Sequence, residues 1–224
     1  AGQKKRKALL TLYNEENELM ESRVVGKDFL ISRMVESGGS IFVTGRSSLR
    51  DTHEDLENFF LSSWRWNGKV INKSWSVRAE DLEGEREYGT SLLAMKDGGI
   101  VVGGNFRKSW LIGQSDLDAD SALLTNSNEE RANFDSFIAR YDENGSLLWA
   151  RNSDFAGNDF LCEMILESDE SLLVLGNRKN DDSLGPFLCK LSVNGNPEKD
   201  AALVATDNAG SEILKAFVKI EISK

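Results

Sequence analysis

Long apolar runs, cysteine, histidine and positive charge are what this chain lacks. None of its 224 residues falls in an unbroken apolar run of about 18, so no segment reads as a membrane-spanning helix. It has two cysteines, Cys162 and Cys189, too few for a disulfide framework and not in the Cys-x-x-Cys spacing of a metal site. Its one histidine, His53, is the only candidate base for histidine-assisted nucleophilic catalysis. His53 lies in a polar stretch, residues 49–58, with no cysteine or motif serine beside it, so it reads as a surface residue and the expectation is no catalysis. Lysine and arginine number 27 against 37 acidic residues, a net charge of -10. That balance excludes nucleic acid and anionic membrane as natural partners, since both are polyanions. It leaves cationic partners and metal ions open. The one basic cluster, Lys4-Lys5-Arg6-Lys7, reads as a solvated tail, with a targeting or heparin-type patch as the alternative. Residues 1–224 carry no signal-peptide pattern, and Ala1-Gly2 reads equally as a mature start or a trimmed one.

What the chain does have is repetition. Hydrophobic residues make up 40% of it, enough for one all-β domain with a real core. Residues 135–177 set the pattern: Asp135-Ser-Phe-Ile-Ala-Arg-Tyr-Asp-Glu-Asn-Gly-Ser-Leu-Leu-Trp149, then Asp159-Phe-Leu-Cys-Glu-Met-Ile-Leu and Leu172-Leu-Val-Leu-Gly176. Four short apolar runs are divided by turn residues. From Asp28 to Gly45, Glu87 to Gly104 and Asp159 to Gly176 the distance is 17 positions each time. Ser37-Gly38-Gly39, Asp97-Gly98-Gly99 and Ser168-Asp169-Glu170 supply the turns, where glycine provides the positive φ that tight hairpins demand. Asn67-Gly68 between apolar runs is a second hairpin signal.

A period of roughly 50 residues with four strands per unit predicts a β-propeller of about four blades, four antiparallel strands per blade. The units are residues 7–22, a half blade; 28–77, 87–152 and 159–206, full blades; and 212–224, one more innermost strand. The first and last would share a closing blade, or the whole would be a piece of a larger ring. Residues 29–36, 88–95, 160–167 and 213–220 are expected to be the innermost strands. Residues 107–133 are the largest insertion, and loops of that kind are frequent binding elements.

The units Asp97-Gly-Gly-Ile-Val-Val-Gly-Gly104 and Phe137-Ile-Ala-Arg-Tyr-Asp-Glu-Asn-Gly-Ser-Leu-Leu-Trp149 resemble bacterial β-propeller repeats of the SBBP type. The resemblance covers nearly the whole chain. It implies a secreted, periplasmic or cell-surface protein of a bacterium, with no catalytic activity: a binding or scaffold module that engages a protein or glycan through propeller loops. Tyr141 to Trp149 also looks like the tryptophan-docking repeat of quinoprotein dehydrogenases and of their non-enzymatic relative in outer-membrane protein assembly. The alternative function is therefore a fragment of a propeller enzyme such as a quinoprotein. Only Trp149 stands at that repeat's spacing, four places after the turn glycine.

The repeat frame singles out three sets of site residues. Asp28, Glu87, Asp159 and Glu212 each lead an innermost strand, and such strands start on one face of a ring. Their carboxylates are expected to circle one channel mouth, where hard cations such as calcium or a cationic ligand would bind. The plainer reading is that each caps its own strand. Asp116, Asp118 and Asp120 have the first three spacings of a calcium loop, but Ser121 and Ser127 replace the glycine and glutamate of that motif. Trp64, Trp66 and Trp75 read as core between blades, while Trp110, in the long insertion, is the aromatic expected to meet a partner. Cys162 and Cys189 fall two strands apart, roughly 9–10 Å, beyond disulfide reach, so two buried free thiols are expected.

Overall fold

A computed structural model describes residues 7–49, 56–79, 86–113, 121–126, 133–152, 158–180, 183–196, 203–205 and 214–216. All the regular structure among them is strand, and every pairing is antiparallel. β1 (Lys7–Tyr13) and β2 (Leu19–Lys27) form a hairpin. β3 (Phe29–Ser37), β4 (Ser40–Leu49), β5 (Leu56–Trp66) and β6 (Ile71–Arg78) form a four-stranded meander in chain order. β7 (Glu87–Ala94), β8 (Ile100–Phe106), β11 (Asp135–Tyr141) and β12 (Leu147–Asn152) repeat it, with a small hairpin of β9 (Ser109–Ile112) and β10 (Ala122–Thr125) inserted. β13 (Asn158–Leu166), β14 (Leu172–Asn180) and β15 (Ser183–Leu191) give the third sheet. β16 (Leu203–Ala205) pairs with β17 (Leu214–Ala216). The repeat predicts that β17 opens a new innermost strand. It forms a two-stranded sheet with the segment before it instead.

The two four-stranded sheets are apolar on both faces, and a separate core fills each gap between consecutive sheets. Leu10 of β1 packs with Val43, Phe60, Trp64 and Ile71 on one face of the β3–β6 sheet. The other face of that sheet offers Phe42, Phe59, Leu61, Trp75 and Val77 to Ile100, Val102, Phe137 and Tyr141 of the next. The far face of that second sheet offers Val101 and Ile138 to Leu161, Met164, Leu172, Val174 and Phe187 of the third. Period-2 alternation gives the two faces, since neighbours along a strand face opposite sides, and a register shift brings Leu161 and Met164 to the same one.

The first strand of each of the three larger sheets carries a bulge at its middle. Ser32, Thr90 and Cys162 are each the extra residue, between pairs that close on Gly45, Gly104 and Gly176. The bulge pushes a carbonyl toward the glycine opposite. A β-carbon on those glycines would collide with the carbonyl of Leu30, Tyr88 or Phe160 respectively. The closing glycine of the repeat is thus required by close approach rather than by a turn.

The equal spacing of 17 hides a difference. The β3–β4 turn has two residues, Gly38 and Gly39, both at positive φ (59° and 77°). The β7–β8 turn has three, closed by Met95 N–H to Gly99 O at 3.0 Å, with Gly98 at φ 85°. The β13–β14 turn matches the latter, with Glu170 in the left-handed region at φ 66°. In register, the residue matching Glu87 and Asp159 is therefore Phe29, not Asp28. Phe29 pairs two places beyond its glycine with Ser47, as Glu87 does with Phe106 and Asp159 with Arg178.

Candidate functional site

The two ends of the sheets differ. Tight turns gather at one end: residues 14–18, 38–39, 67–70, 96–98, 142–146, 168–170 and 192–196. At the other end lie the longer connections and the starts of β3, β7, β11 and β13. Loops held on a rigid scaffold are where binding residues concentrate, so the connection end is the candidate site.

Asparagines hold that end together. Phe134 N–H donates to Asn158 Oδ1 at 2.9 Å, and Asn158 Nδ2 donates to Asn133 Oδ1 at 3.1 Å. Asn126 Nδ2 donates to Asn133 O at 3.2 Å, and Asp159 N–H to Phe134 O at 2.7 Å. Deeper in, Asn105, which follows the closing glycine, accepts from Leu161 N–H at 2.7 Å, while Thr90 Oγ1 donates to Leu161 O at 3.1 Å. Both contacts join the second sheet to the bulge of the third. The guanidinium of Arg107 lies 4.3 Å from the Phe134 ring centre, within cation–π range.

Glu87 and Asp159 are buried at this end, together with Asp135, and each has an interaction partner. Asp28 is half-buried, at φ 56°, and also partnered. Among the described residues, no three histidine, cysteine, aspartate or glutamate side chains converge closely enough to hold a metal ion. Asp28, Glu87 and Asp159 thus form no metal-holding group of three. The missing residue in the β3–β4 turn is the reason Asp28 stands out of phase. Glu212, Asp116, Asp118, Asp120 and His53 lie outside the described residues.

Trp110 is not a partner-facing aromatic. It is 1% exposed and packs edge-on against Phe59 and Phe137, with ring centres 5.2 and 4.7 Å away. The insertion folds β9 and β10 back, and Trp110, Ile112 and Leu124 extend the core between the first two full sheets. Ser109 and Leu111 alternate outward, so the strand period, not the polarity of the flanking loop, fixes where the indole goes. Trp64 and Trp75 are buried and Trp66 partly so, as core residues. Both cysteines are free, but only Cys189 is buried. Cys162 is the bulge residue, which turns it outward, where it accepts from Asn177 Nδ2 at 3.3 Å.

Two features were not readable from spacing. The first is a pair of equivalent tryptophans. Trp75 pairs across from Ser63 in its sheet and Trp149 from Arg140, positions that match in register ahead of a bulge. Trp75 lies against Gly145 in the next sheet's turn and donates to Glu143 O at 3.0 Å. Trp149 lies against Gly195 in the turn after that and donates to Val193 O at 3.2 Å. The β5–β6 hairpin continues two pairs further before it turns, through Arg65–Asn72 and Trp66–Ile71, which displaces Trp75 along the sequence and conceals the match. The second is a polar junction of three first strands. Arg33 Nη2 of β3 bonds Glu163 Oε2 of β13 at 2.9 Å, and Ser91 of β7 donates to Glu163 Oε1. Burial pushes the Glu163 carboxyl up, but the hydrogen bonds from Ser91, Arg33 and the Met164 N–H outweigh it and leave its pKa lowered. No protein-family model matches this chain, and no curated protein matches it significantly.

Proposed function

We infer that the sheets are successive blades of a β-propeller and that the protein is a non-catalytic binding or scaffold module of the bacterial envelope or exterior. The observation that carries the ring is the repeated docking of Trp75 and Trp149, each on the turn of the next sheet along the chain. A contact that recurs in one direction propagates a fixed rotation from sheet to sheet. The junction of Arg33, Ser91 and Glu163 supports it, because it brings the first strands of three sheets to one place, as an axis would. In this reading β1 and β2 are the outer half of a closing blade. Binding of a protein or glycan is assigned to the connection end, where the loops are long and the frame beneath them is cross-linked by Asn105, Asn133 and Asn158.

The test applies labelled protein to a glycan array and to arrayed bacterial surface proteins. Saturable binding is expected, competed by unlabelled protein and lost when residues 114–120 become a Gly-Ser linker. Silence on both arrays, or turnover of a bound ligand, would replace this reading with the scaffold-only or the enzyme alternative.

A further inference from the structure

We propose that the seam between the β1–β2 hairpin and the first four-stranded sheet is a binding site for a small carboxylate. The proposal rests on strand register and lining residues, and not on closure of a ring. A recess of about 30 Å³ opens in that seam, between Val25 and Phe29 on one side and residues of β5 and β6 on the other. A single water needs about 10–15 Å³, so the recess accepts a group of a few heavy atoms.

The wall supplied by β5 and β6 is made of three cross-strand pairs: Phe60 with Arg78, Ser62 with Ser76 and Trp64 with Lys73. A bulge at Ser74 turns Lys73 to the same face as Ser76. In the second sheet the matching pairs are Phe137 with Asn152, Ala139 with Ala150 and Tyr141 with Leu147. In the third sheet Cys189 holds the place of Ser62. Ala139, Ala150, Leu147 and Cys189 all pack in core. The first sheet thus carries two hydroxyls and an ammonium where its own repeat is apolar. Ser62 is buried, and a buried hydroxyl is costly unless bonded.

The hairpin side departs from the repeat as well. Glu21 pairs with Leu12 ahead of a bulge, as Trp75 pairs with Ser63 and Trp149 with Arg140. Trp75 stacks on Tyr141, and the residue that matches Tyr141 is Trp64. A glutamate in place of the docking indole leaves room beside Trp64. Its charge is met within the hairpin, since Arg23 Nε lies 2.9 Å from Glu21 Oε1 and also donates to Ile71 O of β6 at 3.1 Å.

Two cations and no acid line the recess, in a chain of net charge -10. Ser62 Oγ accepts from Trp64 Nε1 at 2.9 Å, which turns the hydroxyl proton away from the indole. Lys73 Nζ donates to Ser76 Oγ at 3.0 Å, one of the three bonds an ammonium can give. The Arg78 guanidinium lies 5.3 Å from the centre of the Phe29 ring, a contact that uses its face and leaves its edge to meet a planar carboxylate. Phe29 in turn packs on Phe60, with ring centres 4.5 Å apart. It holds the register position of Glu87 and Asp159, so the shorter β3–β4 turn puts an aromatic wall where a carboxylate would repel an anion. Apolar walls suit the stem of a short organic acid; inorganic phosphate has no apolar surface to offer them.

The probe is sodium propionate at pH 7, titrated into the full chain labelled with nitrogen-15. The readout is the Trp64 indole N–H signal, assigned with Trp64→Phe, because that N–H bonds Ser62. A saturable shift with a Kd of about 1 mM is expected, an affinity open to so small a ligand. Propionamide, the neutral counterpart, and inorganic phosphate should each bind at least about tenfold more weakly. Saturation transfer to the propionate methyl group then reports on variants. Arg78→Gln, at an exposed position, should weaken binding about tenfold and leave the melting temperature unchanged. Ser76→Ala combined with Lys73→Leu installs the residues of the second sheet and should abolish binding. No saturable shift, an equal response to propionamide, phosphate binding as tight as propionate, or binding that survives either variant overturns the proposal.

Discussion

Cys162 and Cys189 sit in one sheet yet differ in every respect that governs thiol chemistry. Burial pushes the Cys189 pKa up to about 12, whereas Cys162 is open to solvent. Thiolate is the reactive form, so one thiol should react with a disulfide reagent in the native protein and two after unfolding. Two native thiols would mean that the core around Phe187 and Leu172 opens readily. Their separation by a strand was legible from sequence, but their unequal burial was not. Strict alternation would set residues 161, 163 and 165 on one face; the bulge at Cys162 instead puts Leu161 and Met164 together in the core and leaves Ile165 exposed. The same bulge gives the closing glycines their role. Gly104→Ala should destabilise by about 1–3 kcal/mol, from overpacking against Tyr88 O and Phe137. Urea unfolding would measure it, and a cost near zero would show that the bulge can relax.

At the scale of the element, hairpins were the most legible feature and phase the least. Asn67-Gly68, Gly98 and Gly145 all close turns with positive φ, as their sequences predict. Yet a two-residue turn and a three-residue turn fit the same 17-residue frame, and that single residue moves Asp28 away from the place held by Glu87 and Asp159. Trp75 shows the converse: a hairpin whose strands run further before turning disguised a true equivalence with Trp149. If these two indoles fasten each sheet to the next, their loss should scale with burial. Trp75 is almost wholly buried, stacked 6.1 Å from Tyr141. Trp75→Phe leaves Glu143 O without its donor and opens a cavity, for a cost of about 2–3 kcal/mol. Trp149→Phe, at a half-buried site, should cost about 1 kcal/mol. Both are read from unfolding midpoints at constant m-value. A larger loss at Trp149 would contradict the packing described.

The molecule as a whole is a series of sheets, each resting on the one before, and most contacts between sheets are apolar. The junction at Glu163 is different, because one ionisable group ties three sheets together: its own, that of Arg33 and that of Ser91. Nothing in the sequence could reveal it, since Arg33 and Glu163 are 130 positions apart. Its consequence is a pH dependence with a definite sign. The Glu163 pKa lies below its ordinary 4.5 in the folded chain. The unfolded state therefore binds the proton more readily. The stabilisation is fully present above about pH 4.5 and fades as pH falls through the lowered folded value. Asp97, whose carboxylate meets Arg140 at 2.6 Å, acts in the same direction from 3.8 downward: burial raises its pKa, but the Gly99 N–H and Arg140 prevail and lower it. Glu163 is 43% exposed, so solvent screens part of its contribution. Glu163→Gln keeps the shape and a hydrogen-bond acceptor but cannot titrate. Urea midpoints taken from pH 7 to pH 3 should fall more steeply for the parent protein than for this variant below pH 4.5. Asp97→Asn should flatten the curve only at the lower end. Parallel curves for all three proteins would mean that acid sensitivity arises elsewhere, and that Arg33 and Ser91 do not hold Glu163 in its charged form in solution.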